Sequence, residues 1–206
     1  MIISNLIAVT RRALVGSVAL ALLGGCAPAG APEALPSYRG ETTVYVVRHA
    51  EKAPPVGGNS DVDLSAPGYA RADSLAVQLR EAGIDVVITT HLRRTQLTAR
   101  PLATMRRLTP IIVPATSPTA AHAESVAVAV RRYPGSRILV VGHSNTVGPI
   151  IAALGGGRIG DLCDSEYSNL FTLTLSPPAP SRLHTGSFGA RDAAPEAGCI
   201  PVRARQ

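Results

Sequence analysis

The chain contains the stretch Thr43-Val44-Tyr45-Val46-Val47-Arg48-His49-Ala50-Glu51-Lys52, in which a β-branched run changes abruptly to charged residues. A short continuous apolar run is typical of a buried parallel strand. Ligands of open α/β sheets bind outside the carboxyl ends of such strands. We therefore expect Arg48 and His49 to lie at the edge of a functional site.

Two later segments repeat this pattern of an apolar run followed by a basic residue. Residues 137–141 lead into Gly142-His143-Ser144-Asn145-Thr146, and residues 85–90 lead into His91-Leu92-Arg93-Arg94 at the start of a basic helix. Because the carboxyl ends of parallel strands lie at one edge of a sheet, the three segments predict a shared site that contains histidine and arginine.

Strand and helix signals alternate along the chain. Apolar residues at helical spacing predict helices, and β-branched runs bounded by proline or glycine predict strands. Helices are predicted from about residue 64 to 83, from 93 to about 108, and over 119–133 and 147–154. A short strand is predicted over 110–114, and the alternating segment 169–175 is predicted to pair with 182–188 at a sheet edge. No regular element is predicted after residue 190.

Three motifs in this order resemble the histidine phosphatase superfamily, which has the phosphoglycerate mutase-like fold. They are Val47-Arg48-His49-Ala50-Glu51, Arg94-Thr95-Gln96-Leu97-Thr98-Ala99 and Val141-Gly142-His143, and the resemblance extends from about Thr43 to Leu175. It implies a three-layer α/β/α fold with a mainly parallel central sheet, in which an antiparallel edge strand is possible. It also implies a phosphatase that needs no cofactor and acts on a phosphate monoester or a phosphohistidine.

The resemblance also implies roles for individual residues. His49 is expected to be the nucleophile that becomes phosphorylated, Arg48 and Arg94 to bind the phosphoryl group, and His143 to donate to an equatorial oxygen. Arginine suits phosphate because its planar guanidinium donates two parallel hydrogen bonds and stays charged. Arg93 is the alternative to Arg94 if the match is displaced by one residue.

The proton donor for the leaving group is the least determined role. Glu124 is narrowly preferred, because it lies upstream of the strand that leads to His143, as the family's acidic residue often does. Glu51, Asp61 and Asp63 are alternatives. A substrate with a good leaving group, such as a phosphoramidate, does not require an acid from the protein.

Residues 1–25 have the pattern of a bacterial signal peptide. Arg11 and Arg12 precede an apolar run that is shorter than the ~20 residues needed to span a bilayer, and small residues precede Cys26. This pattern predicts lipidation of Cys26, with an ordinary secretory peptide or an uncleaved anchor as alternatives. Residues 26–40 are expected to tether a phosphatase domain at 41–190 to the membrane of the cell envelope, and residues 191–206 to form a tail.

Charge and cysteine content exclude some classes of protein. Removal of residues 1–25 leaves 18 of the 20 basic residues against 14 acidic ones, so the net charge falls from +6 to +4. This mild excess fits an anionic ligand, whereas 3% aromatic residues and dispersed arginines argue against nucleic acid. Cys163 and Cys199 are an even pair, for which an envelope location favours a disulfide, with two free thiols as the alternative. No cysteine or histidine spacing indicates a metal site.

Two other functions fit parts of the sequence. Residues 140–146 resemble the nucleophile elbow of serine hydrolases, with Ser144 as nucleophile, but Thr146 stands where that motif has its second glycine. A membrane-tethered module that binds phosphate without turnover would also preserve the pocket. Both remain alternatives to the phosphatase.

Overall fold

A computed structural model describes residues 40–55 and 57–202 of this protein. The predicted signal peptide, Cys26 and nearly all of the tether therefore lie outside the described residues. Within the described ranges, no helix is long and apolar enough to cross a membrane.

Strands and helices alternate along the first three quarters of the described chain, and two strands follow. The strands are β1 (Thr42–Arg48), β2 (Val86–Thr89), β3 (Ile111–Ile112), β4 (Arg137–Gly142), β5 (Asn169–Leu175) and β6 (Arg182–Ser187). The helices are α1 (Ala66–Gln78), α2 (Arg93–Arg106), α3 (Thr119–Arg131) and α4 (Val147–Ala153). A 3₁₀ turn at Arg80–Ala82 follows α1.

The six strands form one mixed sheet in the order β3-β2-β4-β1-β5-β6. The first four are parallel, β5 runs antiparallel to β1, and β6 runs antiparallel to β5. The carboxyl ends of β1, β2 and β4 therefore lie side by side, with Arg48 in register with Gly142 and Thr89 with Val141.

Side chains that alternate along the strands build a core on each face of the sheet. On one face Val44, Val46 and Val140 pack with α3 and α4. On the other face Val47 and Val141 pack with α1 and α2. Because the central strands β1, β2 and β4 are covered on both faces, most of their residues are apolar, which is why they are continuous hydrophobic runs in the sequence.

The three-layer α/β/α fold and the antiparallel sheet edge confirm the predicted fold class. One difference is β3, which contains two residues where five were expected. Its flanks include Pro110 and Pro114, and proline supplies no N–H to a ladder, so pairing with β2 stops early.

The carboxyl-terminal segment is attached to the sheet by covalent and polar contacts. Cys163 and Cys199 form a disulfide, as predicted. The buried carboxylate of Glu166 accepts hydrogen bonds from the backbone N–H groups of Cys163 and Val202 and from the side-chain amide of Asn169. Residues 191–202, the described part of the carboxyl terminus, contain no α-helix or strand, but they are held against the loop that precedes β5.

Candidate active site

The ends of β1 and β4 place two histidines beside each other. The backbone N–H of His49 donates to the Gly142 carbonyl at 2.9 Å, which extends the parallel pairing by one residue. The ring centroids of His49 and His143 are 5.3 Å apart in an edge-to-face arrangement. Both side chains are buried. The parallel register therefore brings together two residues that are 94 positions apart in the chain.

The hydrogen bonding of His49 determines which of its nitrogens is free. Nδ1 lies 2.8 Å from the Ala50 carbonyl oxygen, which can only accept, so Nδ1 carries the proton. Burial, followed by the charges of His143, Arg48 and Arg94, lowers the pKa of His49 to about 3, although the bond to Ala50 opposes this shift. The imidazole is therefore neutral at physiological pH, with its lone pair on Nε2. That is the form required of a nucleophile.

A chain of threonine hydroxyls positions His143. The Thr95 hydroxyl donates to the Leu92 carbonyl at 2.8 Å, and its oxygen is 2.9 Å from the Thr90 hydroxyl. The Thr90 proton is therefore directed to Thr95, and the Thr90 oxygen accepts from His143 Nε2 at 3.2 Å. Burial and the charge of Arg94 lower the pKa of His143 to about 3. Nδ1 of His143 thus carries no proton and has no hydrogen-bond partner among the described residues.

Arg48 is 5% exposed and is held by a loop more than 110 residues away in sequence. Its Nη1 donates to the carbonyl oxygens of Cys163 at 2.8 Å, Asp164 at 3.0 Å and Glu166 at 3.2 Å. Its Nη2 donates to the Tyr167 hydroxyl at 3.3 Å. Its Nε is buried without an acceptor among the described residues. The guanidinium is therefore fixed in position, and its Nε–H remains available to a ligand.

The first turn of α2 places Arg94 at the same sheet edge. Arg94 lines a cavity of about 320 Å³ together with His143, and its charge contributes to the low pKa of both histidines. Its Nε is buried and, like that of Arg48, has no acceptor in the described part of the chain. Nη1 donates a long hydrogen bond to the Ser60 carbonyl at 3.4 Å.

Thr98 explains the spacing between the arginine and the Thr-Ala pair of the second motif. Its hydroxyl donates to the Arg94 carbonyl at 2.7 Å and accepts from the backbone N–H of Ala50 at 2.9 Å. The same side chain therefore contacts the residue that follows His49 and the turn that carries Arg94. Thr98 and Ala99 are fully buried.

Arg93, the alternative to Arg94, points to a different environment. It is exposed, forms an ion pair with Asp63, and donates its backbone N–H to Asp61 at 2.8 Å. A larger cavity of about 550 Å³ beside α2 is lined by Arg93 and contains neither His49 nor His143. The structure thus groups Arg94, and not Arg93, with the histidines.

The carboxylates considered as proton donors mostly have other partners. Glu124 is exposed on α3 and paired with Arg131 at 2.8 Å, so the structure does not bring it to the histidines. Glu51 forms a two-point ion pair with Arg71. Asp63 is bound to Arg93, which lowers the pKa of its carboxyl group. None of these groups is arranged as a free acid.

Tyr167 is a site residue that the sequence did not indicate. Its ring centroid is 6.4 Å from that of His49 and 4.1 Å from the guanidinium carbon of Arg48. A lone tyrosine before an edge strand carries no motif. Only the long-range contact with Arg48 reveals its position.

The groups close enough to bind a metal ion are elsewhere. Among residues 40–55 and 57–202, the only group of three ligand side chains is Cys163, Glu196 and Cys199. Both sulfur atoms are joined in the disulfide, so they are not available as thiolate ligands. The site itself contains two neutral imidazoles, two arginines and the ring of Tyr167.

Comparison with known proteins agrees with the resemblance. Residues 44–116 match the family model "Histidine phosphatase superfamily (branch 1)". This match includes Arg48, His49 and Arg94 and ends before His143. No curated protein sequence matches the chain.

Solved structures share the fold at low sequence identity. The protein histidine phosphatase SixA, complexed with tungstate, is 18% identical with a TM-score of 0.57, and the match covers 70% of this chain and 96% of SixA. Mycobacterial glucosyl-3-phosphoglycerate phosphatase is 16% identical with a TM-score of 0.53, over 73% of this chain and 100% of that one. "Mycobacterial hydrolase 2" is 15% identical with a TM-score of 0.52, over 76% and 94%. These solved structures show a fold that this chain shares, and residues 44–116 are similar to the histidine phosphatase superfamily.

Proposed function

We propose that this protein is a phosphatase of the histidine phosphatase superfamily that hydrolyses a phosphate monoester or a phosphohistidine through a phosphorylated His49. One observation carries the proposal: the buried Nε donors of Arg48 and Arg94 lack an acceptor among the described residues, and His143 and the Nε2 lone pair of His49 lie at the same sheet edge. Buried charged donors without partners are costly in a folded protein. A phosphoryl group would satisfy both.

In the first step, His49 Nε2 attacks phosphorus while the two arginines bind the non-bridging oxygens. The low pKa of His49 keeps its lone pair available, and its bond to Ala50 orients the ring. The guanidinium of Arg48 is already fixed, so binding requires little reorganisation there. The N–P bond forms as the bond to the leaving group breaks.

In the second step, water displaces the phosphoryl group from His49. The proposed role of His143 is to donate from Nδ1 to an equatorial oxygen. Since Nε2 already donates to Thr90, this role requires His143 to become an imidazolium. The anionic phosphoryl group favours that protonation, because an adjacent negative charge raises the pKa of an imidazole.

The structure supports a phosphorylated substrate whose remaining part lies in the cavity beside the histidines. The cavity shared by Arg94 and His143 is also lined by the segment from Ala115 to Thr119. Side chains in this segment and in the 53–63 loop are proposed to contact the group that is esterified to phosphate. Of the two substrate classes, a phosphohistidine needs the least help from an acidic group of the protein.

Location in the cell envelope is proposed from the sequence of residues 1–26. Secretion, cleavage before Cys26 and lipidation of that cysteine would attach the domain to a membrane. Conversion of Cys26→Ser should move the protein from the membrane fraction to the soluble fraction. Unchanged membrane association would contradict the lipid anchor.

The test of the proposed activity is the hydrolysis of p-nitrophenyl phosphate by the full-length chain. His49→Ala should reduce turnover by at least about 10⁴-fold, because no other group can form the covalent intermediate. His184→Ala, on exposed β6, is the matched control and should retain wild-type turnover. Melting curves establish that both variants fold. Phosphate binding with no turnover by the wild type, over a panel of esters and phosphohistidine peptides, would instead identify a binding module.

The serine esterase alternative has less support from the contacts. Among the described residues, the Ser144 hydroxyl has no hydrogen bond to an imidazole, which a serine nucleophile needs for activation. Ser144→Ala should therefore leave turnover close to that of the wild type. Loss of activity in Ser144→Ala together with full activity in His49→Ala would support the esterase.

A further inference from the structure

The hydroxyl group of Tyr167 lies against the arginine that is proposed to bind the phosphoryl group. Arg48 Nη2 donates to the Tyr167 oxygen at 3.3 Å, and the guanidinium carbon is 4.1 Å from the ring centroid. The rings of Tyr167 and His49 have centroids 6.4 Å apart. A phosphoryl group on His49 and Arg48 would therefore be within reach of this hydroxyl.

The hydrogen bonding of Tyr167 leaves its proton unused. Because the arginine N–H can only donate, the phenolic oxygen accepts that bond. The tyrosine O–H has no acceptor within residues 40–55 and 57–202. The residue is also well positioned, since its backbone N–H donates to Asp192 at 3.0 Å and the Arg71 guanidinium lies 6.0 Å from its ring.

A proton source is needed because an alkoxide or phenoxide is a poor leaving group. Glu51 and Glu124 are held by Arg71 and Arg131, respectively. Two carboxylates remain near the arginines. Asp61 accepts from the Arg93 backbone, and Asp164 is exposed, 3.8 Å from Arg48. Tyr167 differs from both in that its phenolic O–H is a hydrogen-bond donor.

We infer that Tyr167 is a further catalytic residue, which donates its hydroxyl proton to the leaving-group oxygen. The inference depends on the proposed phosphatase function. The ester P–O bond breaks as the bond from His49 Nε2 to phosphorus forms, and the leaving oxygen keeps the electron pair and takes the Tyr167 proton. Arg48 stabilises the phenolate. In the second step the phenolate takes a proton from the attacking water, the N–P bond breaks, and tyrosine is restored.

The experiment measures how turnover depends on the leaving group. Full-length wild type and Tyr167→Phe are assayed with p-nitrophenyl, m-nitrophenyl and phenyl phosphate. Turnover of phenyl phosphate by Tyr167→Phe should fall by about 10²-fold or more, the usual contribution of a general acid. Turnover of p-nitrophenyl phosphate, whose leaving group needs little protonation, should change by less than about threefold. A purely structural tyrosine would not produce this difference between substrates.

The controls are Asp61→Asn and Asp164→Asn, which should keep the leaving-group dependence of the wild type. An equal loss for all three esters in Tyr167→Phe would show that the hydroxyl only positions Arg48, and would overturn the inference. A steeper dependence in either aspartate variant would overturn it as well, since that aspartate would be the acid. Absence of turnover by the wild type would instead reject the proposed function itself.

Discussion

The two arginines of the site are held in opposite ways. Arg48, at the end of β1, donates to three backbone carbonyls and a tyrosine hydroxyl, all supplied by residues 163–167. Arg94, in the first turn of α2, is half-buried, and its guanidinium donates a long hydrogen bond to the Ser60 carbonyl at 3.4 Å. The fold therefore fixes the guanidinium of Arg48 in position, whereas the guanidinium of Arg94 can move to contact a ligand.

One arginine of the site is thus preorganised and the other is adaptable. A fixed cation can stabilise a transition state without reorganisation, but the protein must supply hydrogen-bond acceptors that hold it. The fold achieves this for Arg48 with a loop that the Cys163–Cys199 disulfide and the buried carboxylate of Glu166 hold in place. The proposed binding of phosphate by Arg48 would thus be coupled to the integrity of the carboxyl-terminal segment, and the proposed binding by Arg94 would not.

The largest expected effect comes from removing each arginine in turn. Arg48→Ala should lower turnover by about 10³-fold, the loss seen when one oxyanion donor is removed. It should also lower the free energy of unfolding by about 2–4 kcal/mol, because buried carbonyl oxygens lose their donor. Arg94→Ala should show a comparable loss of turnover with a change in stability below about 1 kcal/mol.

Steady-state kinetics and urea unfolding of both variants measure this contrast. Arg93→Ala is the matched control for Arg94, because its side chain is exposed and paired with Asp63 outside the histidine cavity. Equal losses of stability in Arg48→Ala and Arg94→Ala would contradict the difference between the two arginines.

A smaller effect on turnover is expected from removal of the disulfide. The double variant Cys163→Ser and Cys199→Ser should lose about 2–4 kcal/mol of unfolding free energy. Its turnover should fall as well, because the Cys163 carbonyl accepts from Arg48 at 2.8 Å and the loop would be less constrained. Thermal melts measure the stability, and p-nitrophenyl phosphate kinetics measure the turnover. The wild type is also measured with and without dithiothreitol. A stability loss with unchanged turnover would show that the loop holds Arg48 without the disulfide.

The histidines predict a pH dependence of stability. Burial lowers the pKa of His49 and His143 from 6.5 to about 3 in the folded state, so between these values the unfolded chain binds more protons. Stability from this source is fully present above pH 6.5 and is lost as the pH falls towards 3. His143→Asn should therefore show a smaller decrease in melting temperature between pH 7 and pH 4 than the wild type. If the wild type and His143→Asn lost the same melting temperature between pH 7 and pH 4, the low pKa given for His143 would be contradicted.

The smallest effect is expected for Glu124→Gln. The carboxylate is exposed and paired with Arg131, and surface ion pairs contribute about 0–1 kcal/mol. Turnover of phenyl phosphate, the ester that most needs an acid, should stay within about twofold of the wild type. A loss of 10²-fold would restore Glu124 as the proton donor.

The sheet and the strand-end motifs were predictable because they depend on local patterns. Strands buried on both faces are continuous apolar runs, and their parallel pairing places the residues after β1, β2 and β4 at one edge. The grouping of Arg48, His49, Arg94 and His143 follows from that rule. The disulfide followed from cysteine parity.

The contacts that complete the site were not predictable from one chain. Arg48 meets Cys163 across 115 residues, and nothing local to Tyr167 or Glu166 indicates which strand end they approach. Glu124 was proposed from its place in the chain order, but α3 orients it towards Arg131. Side-chain direction on a helix depends on packing, which chain order alone does not specify.

The most direct test of the account is to trap the phosphorylated enzyme. Wild-type protein is mixed with ³²P-labelled substrate, quenched in alkali within the first turnover, digested and mapped. The account predicts one alkali-stable, acid-labile phosphorylated peptide that contains His49 and is absent from His49→Ala. Turnover without any labelled histidine, or label on another residue, would contradict the central claim.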